Sequence, residues 1–327
     1  MTADDVTLDT IRRAAATIAG KVHRTPLLPS RTLSAMTGFD LRFKAENLQK
    51  TGCFKPRGAL NRIARMSAED KSRGVLAASA GNHAQGLAWA AVRLGIPVKV
   101  VMPETAPASK IEATRAMGAE IVLHGEIFDD ALARSLELQR ETGMTYVHPC
   151  LDPDVVSGAG TIGLEILEDW PDVDAIVAPI GGGGLISGIS VAVKTQRPEV
   201  KMFGVQPSGA PSMKRAMETG HVVVLDSVRS IAEGMAGRAV FEETLAFARR
   251  YLEDVLLVSD ASLLRAITLL LSRSKLLAEG AGAGPLAAML DGSLKLPPGS
   301  KVAAVISGGN QDLQRLSLWL SEGLPAA

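Results

Sequence analysis

Short β-branched apolar runs alternate along the chain with longer segments of helical period, the pattern of a mostly parallel sheet joined by crossover helices. The spacing predicts strands over 40–46, 74–79, 97–102, 119–124, 144–148, 175–180, 200–206, 254–259 and 301–307. Helical stretches lie between them at 82–94, 109–117, 128–141, 158–168, 185–196 and 261–273. The fold class is α/β.

The four strands between 74 and 148 make a βαβαβαβ block the size of one small domain. This divides the chain into a small α/β domain, 73–149, inserted into a larger one built from 1–72 and 150–327. Chemistry in such a fold belongs to the cleft between the two units, at the carboxyl ends of their strands.

Composition narrows the function. The chain has 35 basic residues, 35 acidic residues and 4% aromatic residues, which leaves neither the charge footprint nor the stacking surface for nucleic acid. Its two cysteines, Cys53 and Cys150, form no CxxC, and the start MTADDVTLDT is polar and acidic. A reduced cytoplasm is the expected location. Residues 175–193 run uncharged for 19 residues, close to the length of a membrane span. Pro179 and four consecutive glycines interrupt them and would leave backbone groups unpaired in lipid, so the stretch reads as strand, loop and helix.

That loop is the first candidate for binding. Gly181, Gly182, Gly183 and Gly184 follow an apolar strand, and a helix opens at Leu185, an arrangement that offers backbone N–H groups to a phosphate. The next residues are Leu-Ile-Ser-Gly, so the loop is not a P-loop. A dinucleotide GxGxxG also fails, because Ile186 and Ser187 hold the third-glycine positions and the next strand ends at Gln206 instead of an acid. A small phosphorylated cofactor fits better.

Three other motifs fall at strand ends. Lys55, beside Phe54, is fixed by Pro56 at a helix start. The turn Ser79-Ala80-Gly81-Asn82-His83 opens a helix whose first N–H groups and neighbouring side chains can hold a carboxylate. Ser307-Gly308-Gly309-Asn310 ends the last strand, where a hydroxyl can meet a ring nitrogen. A constrained lysine, a phosphate cradle and a polar group for a pyridine nitrogen are the parts of a pyridoxal-phosphate enzyme.

The segments KTGCFKPRGA, SAGNHAQG, GTIGLEI, PIGGGGLISG, KLLAEGAGA and ISGGNQDL together resemble the threonine dehydratases, in the pyridoxal-phosphate family that includes serine racemase and tryptophan synthase β. They span Gln49 to Leu313 in the family's order. The chain ends soon after them, which resembles the short catabolic type without a C-terminal regulatory domain. The resemblance implies the tryptophan synthase β-like fold (fold type II), with two open, twisted, mostly parallel sheets flanked by helices, and a homodimer or homotetramer. It implies that Lys55 carries pyridoxal 5'-phosphate as a Schiff base and, once displaced by substrate, takes the α-proton. Phe54 would pack on the ring, Asn82 would bond its 3-oxygen, and Ser307 would face its nitrogen. Gly181, Gly182, Gly183, Gly184 and Leu185 would hold the phosphate. Ser79, Ala80, Gly81, Asn82 and His83 would line the substrate and seat its carboxylate. The implied reaction converts L-threonine or L-serine to 2-oxobutanoate or pyruvate with release of ammonia. The alternatives are a dehydratase for another 3-hydroxy amino acid, such as hydroxyaspartate or phenylserine, and a serine racemase.

Four departures carry expectations. Cys53 stands where the family usually has serine, which makes it a candidate for sensitivity to thiol reagents. Ala159 stands where glutamine is usual, and Ala80 where racemases of the family carry serine, so elimination should dominate over racemisation. Gln206 and Ser212 occupy the places of two acidic cation ligands found in relatives, so no tight divalent metal site is expected. His23, His124, His148 and His221 show no ligand spacing.

Overall fold

The computed structural model describes residues 1–2 and 5–323. Its strands are β1 (Leu27–Pro29), β2 (Asp40–Ala45), β3 (Val75–Ala78), β4 (Val98–Met102), β5 (Glu120–Leu123), β6 (Thr145–Tyr146), β7 (Ala175–Pro179), β8 (Lys201–Pro207), β9 (Asp254–Val258) and β10 (Lys301–Ile306). They form two sheets, a six-stranded one in the order β1-β2-β10-β7-β8-β9 and a four-stranded one in the order β5-β4-β3-β6. Every pairing is parallel except β1 with β2. The architecture is the α/β arrangement of two mostly parallel sheets flanked by helices that the pattern predicts.

The central strands are buried along their whole length, as the residues of β3 and β7 show, because helices cover both faces of a parallel sheet. Register sets the site. Ile306 pairs with Ala45, and Ala304 pairs with Val177, so β2, β10 and β7 run out together at one edge. Everything that follows them, including Lys55, Ser307 and the glycine loop, therefore emerges on the same side of the large sheet.

Among the elements that differ from the sequence pattern are a short strand and one helix. β1 is three residues long and ends on Pro29, too little to announce itself. The helix read as 158–168 runs over Pro153–Asp169, with Asp152 accepting from the N–H groups of Asp154 and Val155 and Pro153 in the first turn. Its glycines serve close packing. A Cβ on Gly158 would lie 2.6 Å from Arg57 O, and one on Gly188 would lie 2.3 Å from Val156 O. The lysine helix (Lys55–Ala64) and the helix after the glycine loop (Gly184–Gln196) thus both lie against this one helix, which fixes the lysine relative to the cradle.

A buried charge cluster clamps the same junction. The Arg57 guanidinium donates to Glu46 at 2.8 Å, to Thr161 Oγ1 at 3.1 Å and to Glu165 Oε1 at 2.6 Å. Lys44 Nζ donates to Glu165 Oε2 at 2.5 Å and to Thr25 O at 2.6 Å. Two cations face two carboxylates, so each buried charge is compensated, and removing one partner of such a set costs about 3–5 kcal/mol. Among the described residues, no helix is long and apolar enough to cross a membrane.

Candidate active site

Lys55 opens its helix with Pro56 beside it. Backbone contacts aim it. The Phe54 N–H donates to Ser307 O at 3.0 Å, which ties the lysine turn to the end of β10. A Cβ on Gly86 would lie 2.8 Å from Lys55 Cβ, so the helix Asn82–Arg93 leans directly on the lysine. Nζ lies 3.4 Å from Pro149 O and 4.9 Å from the centre of the Phe54 ring.

Each glycine of the loop is pressed by protein on the side where a Cβ would stand. A Cβ on Gly181 would meet Gly234 O at 2.4 Å, one on Gly182 would meet Cys150 Sγ at 2.5 Å, and one on Gly184 would meet Cys150 Cα at 2.9 Å. Gly183 takes φ 95° as the N-cap of the following helix, a left-handed conformation that favours glycine. The first N–H groups of that helix have no intrahelical acceptor, and its dipole favours an anion there. Leu185 is buried in the apolar core, so only its backbone can face a phosphate.

At the end of β3 the Ser79 hydroxyl accepts from the Gly81 N–H at 3.2 Å. Asn82 begins the helix, and its Nδ2 donates to Glu279 Oε1 at 2.7 Å. Asn310 Nδ2 donates to Asn82 Oδ1 at 2.8 Å. The His83 side chain departs from the sequence reading. It turns into the small sheet, with Nε2 2.8 Å from Val147 O, and burial followed by the charge of Lys55 pushes its pKa down to about 3. Its imidazole is neutral, and a charged ring is not available to a carboxylate. The N–H groups of the helix start remain for that task.

Cys53 departs as well. It is fully buried, with its Sγ 3.4 Å from Thr51 Oγ1, and burial pushes the thiol up to about 12. Such a thiol is unreactive, so Cys53 gives no redox sensitivity. Gln206 is buried with Ser212, its Oε1 accepting from the N–H groups of Met213 and Lys214 at 2.8 and 3.2 Å. There it caps a helix start.

Sequence reasoning missed four neighbours. Cys150 and Phe241 wall the glycine loop. His148 accepts from the N–H groups of Cys150 and Leu151 at 3.1 and 3.0 Å, which shapes that wall, and burial, with Lys55 nearby, holds its pKa down at about 4. Glu279 is partly buried, and burial raises its carboxyl to about 7. It lies inside the KLLAEGAGA segment, and an acid set among glycines was the available signal.

Residues 18–308 match the family described as pyridoxal-phosphate dependent enzyme. An L-threonine ammonia-lyase of Thermotoga maritima is 48% identical over 320 residues, covering 98% of this chain and 79% of the relative. The catabolic L-threonine dehydratase TdcB of Escherichia coli is 40% identical over 313 residues, covering 95% of each chain. Among solved structures, maize serine racemase superposes with a TM-score of 0.92 at 37% identity, covering 97% of each chain. The T.th. threonine deaminase superposes with a TM-score of 0.89 at 41% identity, covering 94% of this chain and 99% of that one. With a family match over most of its length and relatives of this identity across nearly all of it, the chain belongs to the pyridoxal-phosphate-dependent enzymes.

Proposed function

We propose that this chain is a threonine ammonia-lyase that also accepts L-serine, removing the β-hydroxyl and the amine to give 2-oxobutanoate or pyruvate and ammonia. The observation that carries the reading is one lysine held by backbone contacts beside both a walled glycine cradle and a helix start open to a carboxylate. The names of the relatives point the same way. Pyridoxal phosphate fits the residues present: the cradle has no room for a single added Cβ at Gly181, Gly182 or Gly184, yet its N–H groups stay free for a phosphate.

When bound, that cofactor supplies an aldehyde for the substrate amine and a conjugated ring that draws electrons from Cα. Lys55 holds it and, once released, takes the proton from Cα. Phe54 packs beside it, and Asn82 donates to its 3-oxygen. Ser307 would offer the ring nitrogen a hydroxyl instead of a carboxylate, so that nitrogen would lack a fixed negative partner, a setting that suits loss of the β-hydroxyl. Gly181, Gly182, Gly183, Gly184 and the Leu185 N–H hold the phosphate. Ser79, Gly81 and the N–H groups of Asn82 and His83 seat the substrate carboxylate.

We further read 73–149 as a small domain inserted into 1–72 and 150–327, a division supported by all four strands of the smaller sheet lying within it. The family resemblance supports a homodimer or homotetramer in the cytoplasm, and light scattering would measure the assembly. Function is tested by a panel of 3-hydroxy amino acids with ammonia and 2-oxo acid measured together. Threonine should lead the panel, and a higher kcat/KM for hydroxyaspartate or phenylserine would reject the substrate assignment. Borohydride should bleach the yellow protein and leave its label on Lys55.

A further inference from the structure

Glu279 is a partly buried acid with no part in the reaction as described so far. It immediately precedes the helix Gly280–Leu290, and its N–H donates to Gly308 O at 3.0 Å. Its carboxyl lies over the glycine after Ser307, where a Cβ on Gly308 would be 2.5 Å from Oε1. From there Oε1 accepts from Asn82 Nδ2.

The amide of Asn82 is gripped at both ends. Asn310 Nδ2 has two hydrogens and spends one on Thr51 O at 2.9 Å and the other on Asn82 Oδ1 at 2.8 Å. Glu279 takes one hydrogen of Asn82 Nδ2. Asn82 cannot flip without facing donor to donor and acceptor to acceptor, so its second Nδ2 hydrogen is the one left for a ligand. Hydrogen bonds in a chain polarise one another, so a charge on Glu279 changes how strongly that hydrogen is offered.

We propose that Glu279 is a positioning residue for the cofactor, holding Asn82 so that its amide donates to the 3-oxygen, and that the charge on Glu279 tunes the electronic state of that oxygen. This rests on the reading of Asn82 as the partner of the 3-oxygen. The groups facing Glu279 come from several elements. Lys55 lies on the lysine helix, Lys110 on the helix Ala108–Ala116, and Glu233 in the turn Glu233–Met235. The Cys53 thiol, also nearby, stays neutral. Burial raises Glu279 to about 7, Lys110 and Lys55 act against the rise, and Glu233 adds to it. Glu279 is therefore neutral in mild acid and gains its charge as pH passes neutrality.

The test titrates the absorbance of the bound cofactor in the holoenzyme from about pH 5.5 to 8.5, spanning the range in which a shifted carboxyl changes charge. Wild type should shift its band with a midpoint near 7. Glu279→Gln keeps an acceptor for Asn82 but cannot ionise, so the midpoint should vanish while cofactor affinity stays within about threefold. Glu279→Leu leaves the Asn82 donor without its partner and frees the amide to turn, and the cofactor Kd should rise about tenfold. A wild type without that midpoint, a Gln variant that titrates like wild type, or a Leu variant with unchanged affinity would each overturn the proposal. Asn82→Ala separates the two levels. If it changes neither spectrum nor affinity, the underlying reading of Asn82 fails, whereas a clear Asn82→Ala effect beside an inert Glu279→Gln rejects Glu279 alone.

Discussion

The glycine loop at 181–184 and the turn at 79–83 both leave the end of a buried parallel strand and both open a helix, but their glycines stand in opposite surroundings. Every glycine of the loop is pressed by protein, against Gly234, Cys150 or Thr244. Around Gly81 an added Cβ meets nothing within 4 Å, and its φ of -131° suits any residue. The loop has one shape because packing dictates it, with or without a phosphate. The turn has space in front of it, and on the proposed reading that space is where the substrate carboxylate would sit. Changes in the loop should therefore act on stability and cofactor together, and changes in the turn on substrate alone.

Lys55 joins the two regions. It touches Gly86 on the helix that follows the turn, and its Nζ approaches Pro149 next to the wall of the cradle. The largest effect is expected for Lys55→Ala, which removes the base and the covalent attachment at once. Loss of the base alone is typically about 10²–10⁴-fold, so ammonia release from threonine should fall to background. Activity above a tenth of normal would remove Lys55 from the chemistry and leave the comparison without its centre.

Gly183→Ala attacks the loop. Its φ of 95° costs a residue with a side chain about 1–2 kcal/mol, and the new methyl would lie 2.6 Å from Thr244 Cβ, adding overpacking of about 1–3 kcal/mol. Cofactor affinity should drop about a hundredfold, and the melting temperature of the cofactor-free protein should fall as well. Gly81→Ala is the counterpart. Its melting temperature should match wild type, and the KM for threonine should rise about tenfold, the loss of one good hydrogen-bonded contact. Equal losses of melting temperature in the two variants would erase the distinction between packed and open glycines.

The sequence made these two regions visible for different reasons. Glycines and polar residues crowd the ends of β3, β7 and β10, and dense motifs at strand ends are legible without a structure. The fold was legible because buried parallel strands are continuous apolar runs, as in Ala175–Pro179. What stayed hidden depends on distance or direction. Glu279 meets Asn82 across 197 positions and Asn310 meets it across 228, so no local pattern links them. The inward turn of His83 and the burial of Cys53 are matters of side-chain direction, which period and spacing do not encode. The opening turn of Pro153–Asp169 lies ahead of the predicted start at 158, although Asp152 and Pro153 mark it.

The smallest effect concerns Ala80, beside the open glycine of the turn. Racemisation needs a group that returns a proton to the face of Cα opposite the lysine, and the methyl of Ala80 can neither give nor take one. With Lys55 as the one base, a proton taken from Cα would be returned only to the face it left, so elimination should dominate and L-serine should yield little D-serine. Because Ala80 is only partly buried and its neighbour Gly81 faces free space, Ala80→Ser should be accommodated without loss of melting temperature. It puts a hydroxyl beside the substrate and should raise D-serine formation measurably over wild type while pyruvate remains the main product, as chiral chromatography of the same reaction would show. D-serine and pyruvate formed at comparable rates by the wild type would mean that another group reaches that face, and would shift the origin of reaction specificity from the turn to a different part of the cleft.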